Sequence, residues 1–151
     1  MGLFNFISNV GKKVFGDDQD DIQKRDAIHQ EIQELDLPAH LSVNVEGDTV
    51  KLAGNVTDTE VKEKILLAIG NIEGVAAVDE NILAAEDMGQ SEFVTVKSGD
   101  TLWKISEEAY GDGSKYNLIF EANKPMLKSA DAIFPGQQLR IPALESLKEA
   151  G

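Results

Sequence analysis

Ile65-Leu66-Leu67-Ala68-Ile69-Gly70-Asn71-Ile72-Glu73-Gly74-Val75-Ala76-Ala77-Val78 is the stretch on which the reading of this chain turns. Ile65, Leu66 and Ile69 recur at helical spacing, two glycines follow, and a short apolar run begins at Val75. The pattern predicts a helix end, a tight turn and the start of a strand. Gly70 falls where a helix commonly stops, since glycine accepts the left-handed conformation of a C-terminal cap. The last four carbonyls of a helix have no partner within it and carry the negative end of its dipole. A turn folded behind that end gathers several carbonyl oxygens, for which a hard cation is a natural partner. From the residues alone, the ordinary alternative of a capped helix leading into a buried strand is the commoner case.

Working upstream, Thr57 or Asp58 caps the helix, which opens with Thr59-Glu60-Val61-Lys62, and Glu60 and Lys64 stand at a supporting i, i+4 spacing. Before it, Ser42–Glu46 and Thr49–Val56 alternate polar and apolar residues around Gly47-Asp48, which predicts a β-hairpin. A helix over about 22–35, with Ala27, Ile28, Ile32 and Leu35 inward, precedes Pro38. Asp17-Asp18-Gln19-Asp20-Asp21 lacks the glycine and distant glutamate of a calcium loop and reads as acidic capping of that helix. Residues 3–15 suggest a short amphipathic helix, with Leu3, Phe6, Ile7, Val10 and Val14 on one stripe, able to lie on a membrane or dock on the protein's own core.

Downstream, Val75–Leu83 is the third strand of this first unit, and Ala84–Ser91 has the aperiodic composition of a linker. A second unit starts at Glu92 with a strand, Phe93–Val96. A helix opening at Thr101 has Leu102, Ile105 and Ala109 inward and is broken by Gly111-Asp112-Gly113. Another helix is capped by Ser114, and Gln138–Ile141 closes the unit after Pro135-Gly136. The organisation expected is an N-terminal segment 1–20, a unit over 21–84, a linker 85–91, a second unit over 92–142 and a tail 143–151, α+β throughout.

The 151 residues carry a formal net charge of −13. Nucleic acid is thereby an unfavourable partner, because binding it needs a basic face to release counterions. The chain has no cysteine, which excludes disulfides and thiolate metal sites. No apolar run is long enough to span a bilayer, and Lys12 and Lys13 follow rather than precede the apolar N-terminus, against a secretory signal. A cytoplasmic, unprocessed monomer without stable membrane insertion is expected. The two histidines, His29 and His40, stand in no recognisable arrangement with a nucleophile, and no enzyme is expected.

Two families are resembled. Val94-Thr-Val-Lys-Ser-Gly-Asp-Thr-Leu102, Tyr110-Gly111, Asn123 and Pro135-Gly-Gln-Gln-Leu-Arg-Ile-Pro142 resemble the LysM family. That implies a βααβ fold and a groove for N-acetylglucosamine polymers such as peptidoglycan. The groove would fall at Gly99, Asp100 and Thr101 on one side and Ile133, Phe134 and Pro135 on the other. The first unit, through Gly47-Asp-Thr-Val-Lys-Leu-Ala-Gly-Asn-Val56 and Ile72-Glu-Gly-Val-Ala-Ala-Val-Asp-Glu-Asn-Ile82, resembles the BON family, implying a small α/β sandwich with a three-stranded sheet and helices.

The succession of the two units, together with Met1-Gly-Leu-Phe-Asn-Phe6, Gly70-Asn-Ile72 and Phe120-Glu-Ala-Asn-Lys-Pro-Met-Leu-Lys-Ser129, resembles a family of bacterial potassium-binding proteins. The resemblance implies a cytoplasmic K⁺ sensor or buffer that changes conformation on binding. Its ion would be held by main-chain carbonyls, here those of Ile7, Val10, Lys12, Gly70, Ile72 and Val75. Lys12 and Lys13 then flank the ion, where an ammonium pointing inward would oppose it.

Overall fold

The computed structural model describes residues 2–16, 18–88 and 91–143, so the expected tail beyond Ala143 lies outside them. Two compact units divide the chain, one within residues 1–89 and one within 90–151. The first contains strand β1 (Gly2–Asn5), helix α1 (Asp21–Glu34), strands β2 (Ala39–Glu46) and β3 (Thr49–Asp58), helix α2 (Thr59–Gly70) and strand β4 (Ala77–Glu86). The sheet order is β1-β4-β3-β2, with β3 and β4 parallel and the other pairs antiparallel. The parallel pair follows from the intervening helix, since α2 carries the chain back along the sheet. Both helices cover one face, where Ile28 of α1 and Val61, Ile65, Leu66 and Ile69 of α2 join Val50, Leu52, Val78 and Ile82 of the strands in one apolar core.

The expected caps form. Asp20 caps α1 in a reciprocal box with Gln23, its carboxylate accepting from the Gln23 N–H while the Gln23 side chain accepts from the Asp20 N–H. Asp58, rather than Thr57, caps α2 by accepting from the Val61 N–H at 2.9 Å. Lys64 and Glu60 pair at 3.4 Å. Inside the core, Glu80 of β4 is only 3% exposed, and its carboxylate accepts from Lys62 of α2 at 3.0 Å and from the Ile82 N–H at 3.0 Å. Two hydrogen bonds to the ionised group offset part of the cost of burying it.

Three elements differ from the sequence expectation. The sheet has four strands, not three, because the N-terminal segment begins as a strand instead of an amphipathic helix. Its exposure alternates residue by residue, Phe4 and Phe6 packing on the core while Leu3 and Ile7 face solvent. A period of two uses a chain with Phe at positions 4 and 6 better than a helix would, and the uncovered edge of β4 supplies backbone partners. Strand β4 also runs three residues further than expected, because its pairing with β3 persists through Asp58 and Glu86. Finally, α2 stops without a left-handed glycine. Asn71, at φ −85°, follows Gly70, and Gly70 serves close packing: a Cβ there would lie 2.0 Å from the Phe6 ring.

The second unit comprises β5 (Glu92–Thr95), α3 (Leu102–Tyr110), a single 3-10 turn (Gly113–Lys115), α4 (Tyr116–Ala122) and β6 (Gln138–Ile141), with β5 and β6 antiparallel. Thr101 caps α3, and Gly111 ends it in the left-handed conformation. Asp112, not Ser114, caps the next turn. Its carboxylate accepts from the Ser114 hydroxyl and N–H, which hold it below the usual carboxylate range. Ala109 is exposed rather than inward, and the core is instead built from Val96, Leu102, Ile105, Ile119, Leu127, Leu139 and Ile141.

Candidate functional site

After β1 the chain runs as a strap, turned and bent over residues 8–11, across the turn that ends α2. Phe6 donates its N–H to the Ala76 carbonyl at 2.9 Å, and the Ser8 carbonyl accepts from the Gly74 N–H. Lys12 donates its N–H to the Asn71 carbonyl at 3.1 Å, and its carbonyl accepts from the Glu73 N–H at 2.9 Å, forming a parallel bridge with Ile72. Strap residues 6–12 and turn residues 71–76 are therefore joined by four main-chain hydrogen bonds. The fold thus brings the two expected groups of residues, Ile7–Lys12 and Gly70–Val75, against each other.

The absence of side chains at glycines makes that approach possible. At Gly11, φ is +125°, and a Cβ would stand 2.0 Å from the Asn71 oxygen. Phe6 covers Gly70, and Phe15 approaches Gly74. Ile72 and Val75 are buried, and their side chains anchor the turn in the core while its backbone faces the strap.

The six expected donor oxygens are not alike. Those of Lys12 and Ile72 already accept from Glu73 and Val75, leaving one lone pair each. No hydrogen bond among the described turns and loops ends on the carbonyls of Ile7, Val10, Gly70 or Val75. Among the described residues there is no group of three His, Asp or Glu side chains that could hold a metal ion. Main-chain oxygens are the donors that strap and turn offer, and neutral carbonyls suit a hard monovalent cation.

One charged contact has no counterpart in the sequence pattern. The Lys12 ammonium reaches α1 and donates to both carboxylate oxygens of Glu31, at 3.2 and 2.9 Å. Residues nineteen positions apart leave no local spacing signal for such a pair. Beside the strap, a cavity of about 340 Å³ is lined by Ser8, Lys13, Phe15, Lys24, Glu73 and other residues.

In the second unit, the two expected groove segments stand at one end of the β5–β6 ladder. Val96 donates to the Gln137 carbonyl and accepts from the Gly136 N–H, both at 2.8 Å. Gly99, at φ +87°, has open space around it, whereas Asp100 and Thr101 are occupied as local caps of the Lys97 and Lys104 N–H groups. The Phe134 N–H donates to the Gln137 side chain, and Ile133 packs on the core. At the opposite end of the ladder Tyr110 donates its O–H to the Pro142 carbonyl, and burial pushes its phenol above the ordinary range. His29 and His40 are both exposed.

Residues 20–86 match the BON domain family and residues 94–142 the LysM domain family. Over 149 residues the chain is 45% identical to the potassium binding protein Kbp of Escherichia coli O6:H1, covering 94% of this chain and 99% of that one. An uncharacterized protein of Deinococcus radiodurans is 38% identical over 109 residues, 64% of this chain and 42% of its own. The resuscitation-promoting factor Rpf of Micrococcus luteus is 38% identical over 52 residues, 34% of this chain and 23% of its own.

Proposed function

The chain belongs to the family of the potassium binding protein Kbp, and on that premise we propose that it binds K⁺ in its first unit and acts as a cytoplasmic sensor or buffer of that ion. The whole-length relationship to Kbp carries the reading. The main-chain joint between strap and turn supports it, because it holds the two segments that carry the proposed carbonyl donors against each other. The donors would be the carbonyls of Ile7, Val10 and Lys12 from the strap and of Gly70, Ile72 and Val75 from the turn. Such donors replace the hydration shell of K⁺, and discrimination against Na⁺ arises from cavity size or from the number and field strength of the dipoles.

A site divided between two segments also supplies a conformational response. Only the closed strap presents both halves, so the ion favours that state in proportion to its differential affinity. K⁺ should therefore raise the melting temperature of the full chain more than Na⁺ at matched ionic strength. An excess of 100 times Kd corresponds to about 2.7 kcal/mol of added stability in the unit that binds. Equal melting temperatures in KCl and NaCl would overturn the reading.

A second reading concerns the LysM unit, whose groove segments 99–101 and 133–135 lie at one end of its two-stranded sheet. Peptidoglycan or another N-acetylglucosamine polymer is the ligand it would take. Titration with chitooligosaccharides should then shift the amide resonances of those segments, and a spectrum unchanged at millimolar ligand would remove the idea.

A further inference from the structure

The Lys12 ammonium is the feature that the proposed ion site has to overcome. The carbonyl of Lys12 is a proposed donor, its N–H holds Asn71, and it closes one end of the strap–turn joint. A fixed positive charge on a ligand residue opposes the entry of a cation, most strongly at low salt. Glu31 alters that balance. The carboxylate takes the ammonium in a two-pronged contact at 2.9 and 3.2 Å and is itself largely shielded, with 21% of its side chain exposed against 62% for Lys12. It draws the ammonium toward α1 and cancels its charge locally.

Building on the K⁺ reading above, we infer that Glu31 is a positioning residue of the ion site: it draws aside and neutralises the Lys12 ammonium, so that the carbonyls meet a cation without that opposing charge. Glu31 touches no ion. It acts through Lys12, and it ties α1, which carries no other proposed site residue, to the strap that closes over the turn. The pair is partly exposed, so its value as a tie is small. Its electrostatic effect is the larger one, because the charge left behind in its absence belongs to a residue whose own carbonyl is a proposed donor.

Charge and tether can be separated with three variants of the full chain. Glu31→Gln leaves the ammonium uncompensated, and the K⁺ dissociation constant should rise about three- to tenfold at low ionic strength, the difference shrinking in high concentrations of a large organic cation salt. Lys12→Met combined with Glu31→Gln removes both charges while keeping the main-chain donor, and should return the constant to within about twofold of the parent. Glu31→Asp should lie between parent and Glu31→Gln. In choline chloride, without K⁺, the melting temperatures of all variants should stay close to the parent's, since the ion pair itself contributes little. A Glu31→Gln constant within twofold of the parent would overturn the inference, as would a double variant as weak as Glu31→Gln, which is the result for a simple tether. A parent that does not distinguish K⁺ from Na⁺ would instead remove the K⁺ reading and this inference with it.

Discussion

Asn123→Asp is expected to destabilise the second unit by about 4 kcal/mol at pH 7, with a loss that shrinks as the pH falls. Asn123 is 1% exposed and satisfied on both sides. Its amide donates to the Ile119 carbonyl at 2.7 Å and to the Arg140 carbonyl at 3.0 Å, and its oxygen accepts from the Arg140 N–H at 2.8 Å. It thus joins α4 to β6. A carboxylate keeps the acceptor but sets a negative charge against two carbonyl oxygens. The folded variant escapes only by protonating, and protonating a carboxyl of ordinary pKa near 3.9 at pH 7 costs about 4 kcal/mol. The variant's folded-state pKa is raised, so its stability recovers by about 1.4 kcal/mol per unit as the pH falls toward 4. Trp103, the one tryptophan of the chain, lies in this unit, so urea unfolding followed by its fluorescence reads the effect directly. Equal losses at pH 7 and pH 5 would contradict the roles of donor and acceptor at this side chain.

Gly11→Ala should destabilise the first unit by about 3 kcal/mol and should remove the K⁺-dependent rise in melting temperature. Two causes add. At φ +125° alanine is strained wherever it stands, and its Cβ would lie 2.0 Å from the Asn71 oxygen and 3.1 Å from the Glu73 nitrogen. Both are backbone atoms of the turn, and neither can yield without breaking the bonds from Lys12 to Asn71 and from Glu73 to Lys12. The strap must lift. Gly47→Ala is the control, since Gly47 has φ +63° but nothing within 4 Å of an added Cβ, and strain alone should cost about 1 kcal/mol with the ion response intact. If Gly11→Ala responds to K⁺ as Gly47→Ala does, strap closure is not required for binding.

Much of the architecture is legible in the sequence because it rests on local chemistry. The caps at Asp20, Asp58 and Thr101 are side chains bonding a backbone three residues away, and the hairpin around Gly47-Asp48 is a two-residue turn between alternating strands. The N-terminal segment departs from expectation because Leu3, Phe6, Ile7 and Val10 mark a helical stripe while Phe4 and Phe6 equally mark one face of a strand. Only the free edge of β4 decides between them. Gly70 carries a comparable ambiguity. A glycine at a helix end signals a cap, but whether it is needed for its conformation or for its missing Cβ depends on what lies above it, here Phe6 from far earlier in the chain.

The candidate site divides in the same way. Backbone ligands leave almost no trace in side-chain identity, so the proposed donors follow from resemblance rather than from side-chain chemistry. By itself, the sequence determined the order of the two units, their helices and hairpin, and the absence of thiolate ligands. Tertiary structure alone decided that residues 6–12 lie on residues 71–76, that the Lys12 ammonium is turned to Glu31, and that Gly11 and Gly70 are glycines for want of space. The physical reason is range. Hydrogen bonds and periodicity act over a few residues and are written locally, whereas close approach and charge pairing across the fold depend on partners the local sequence does not name.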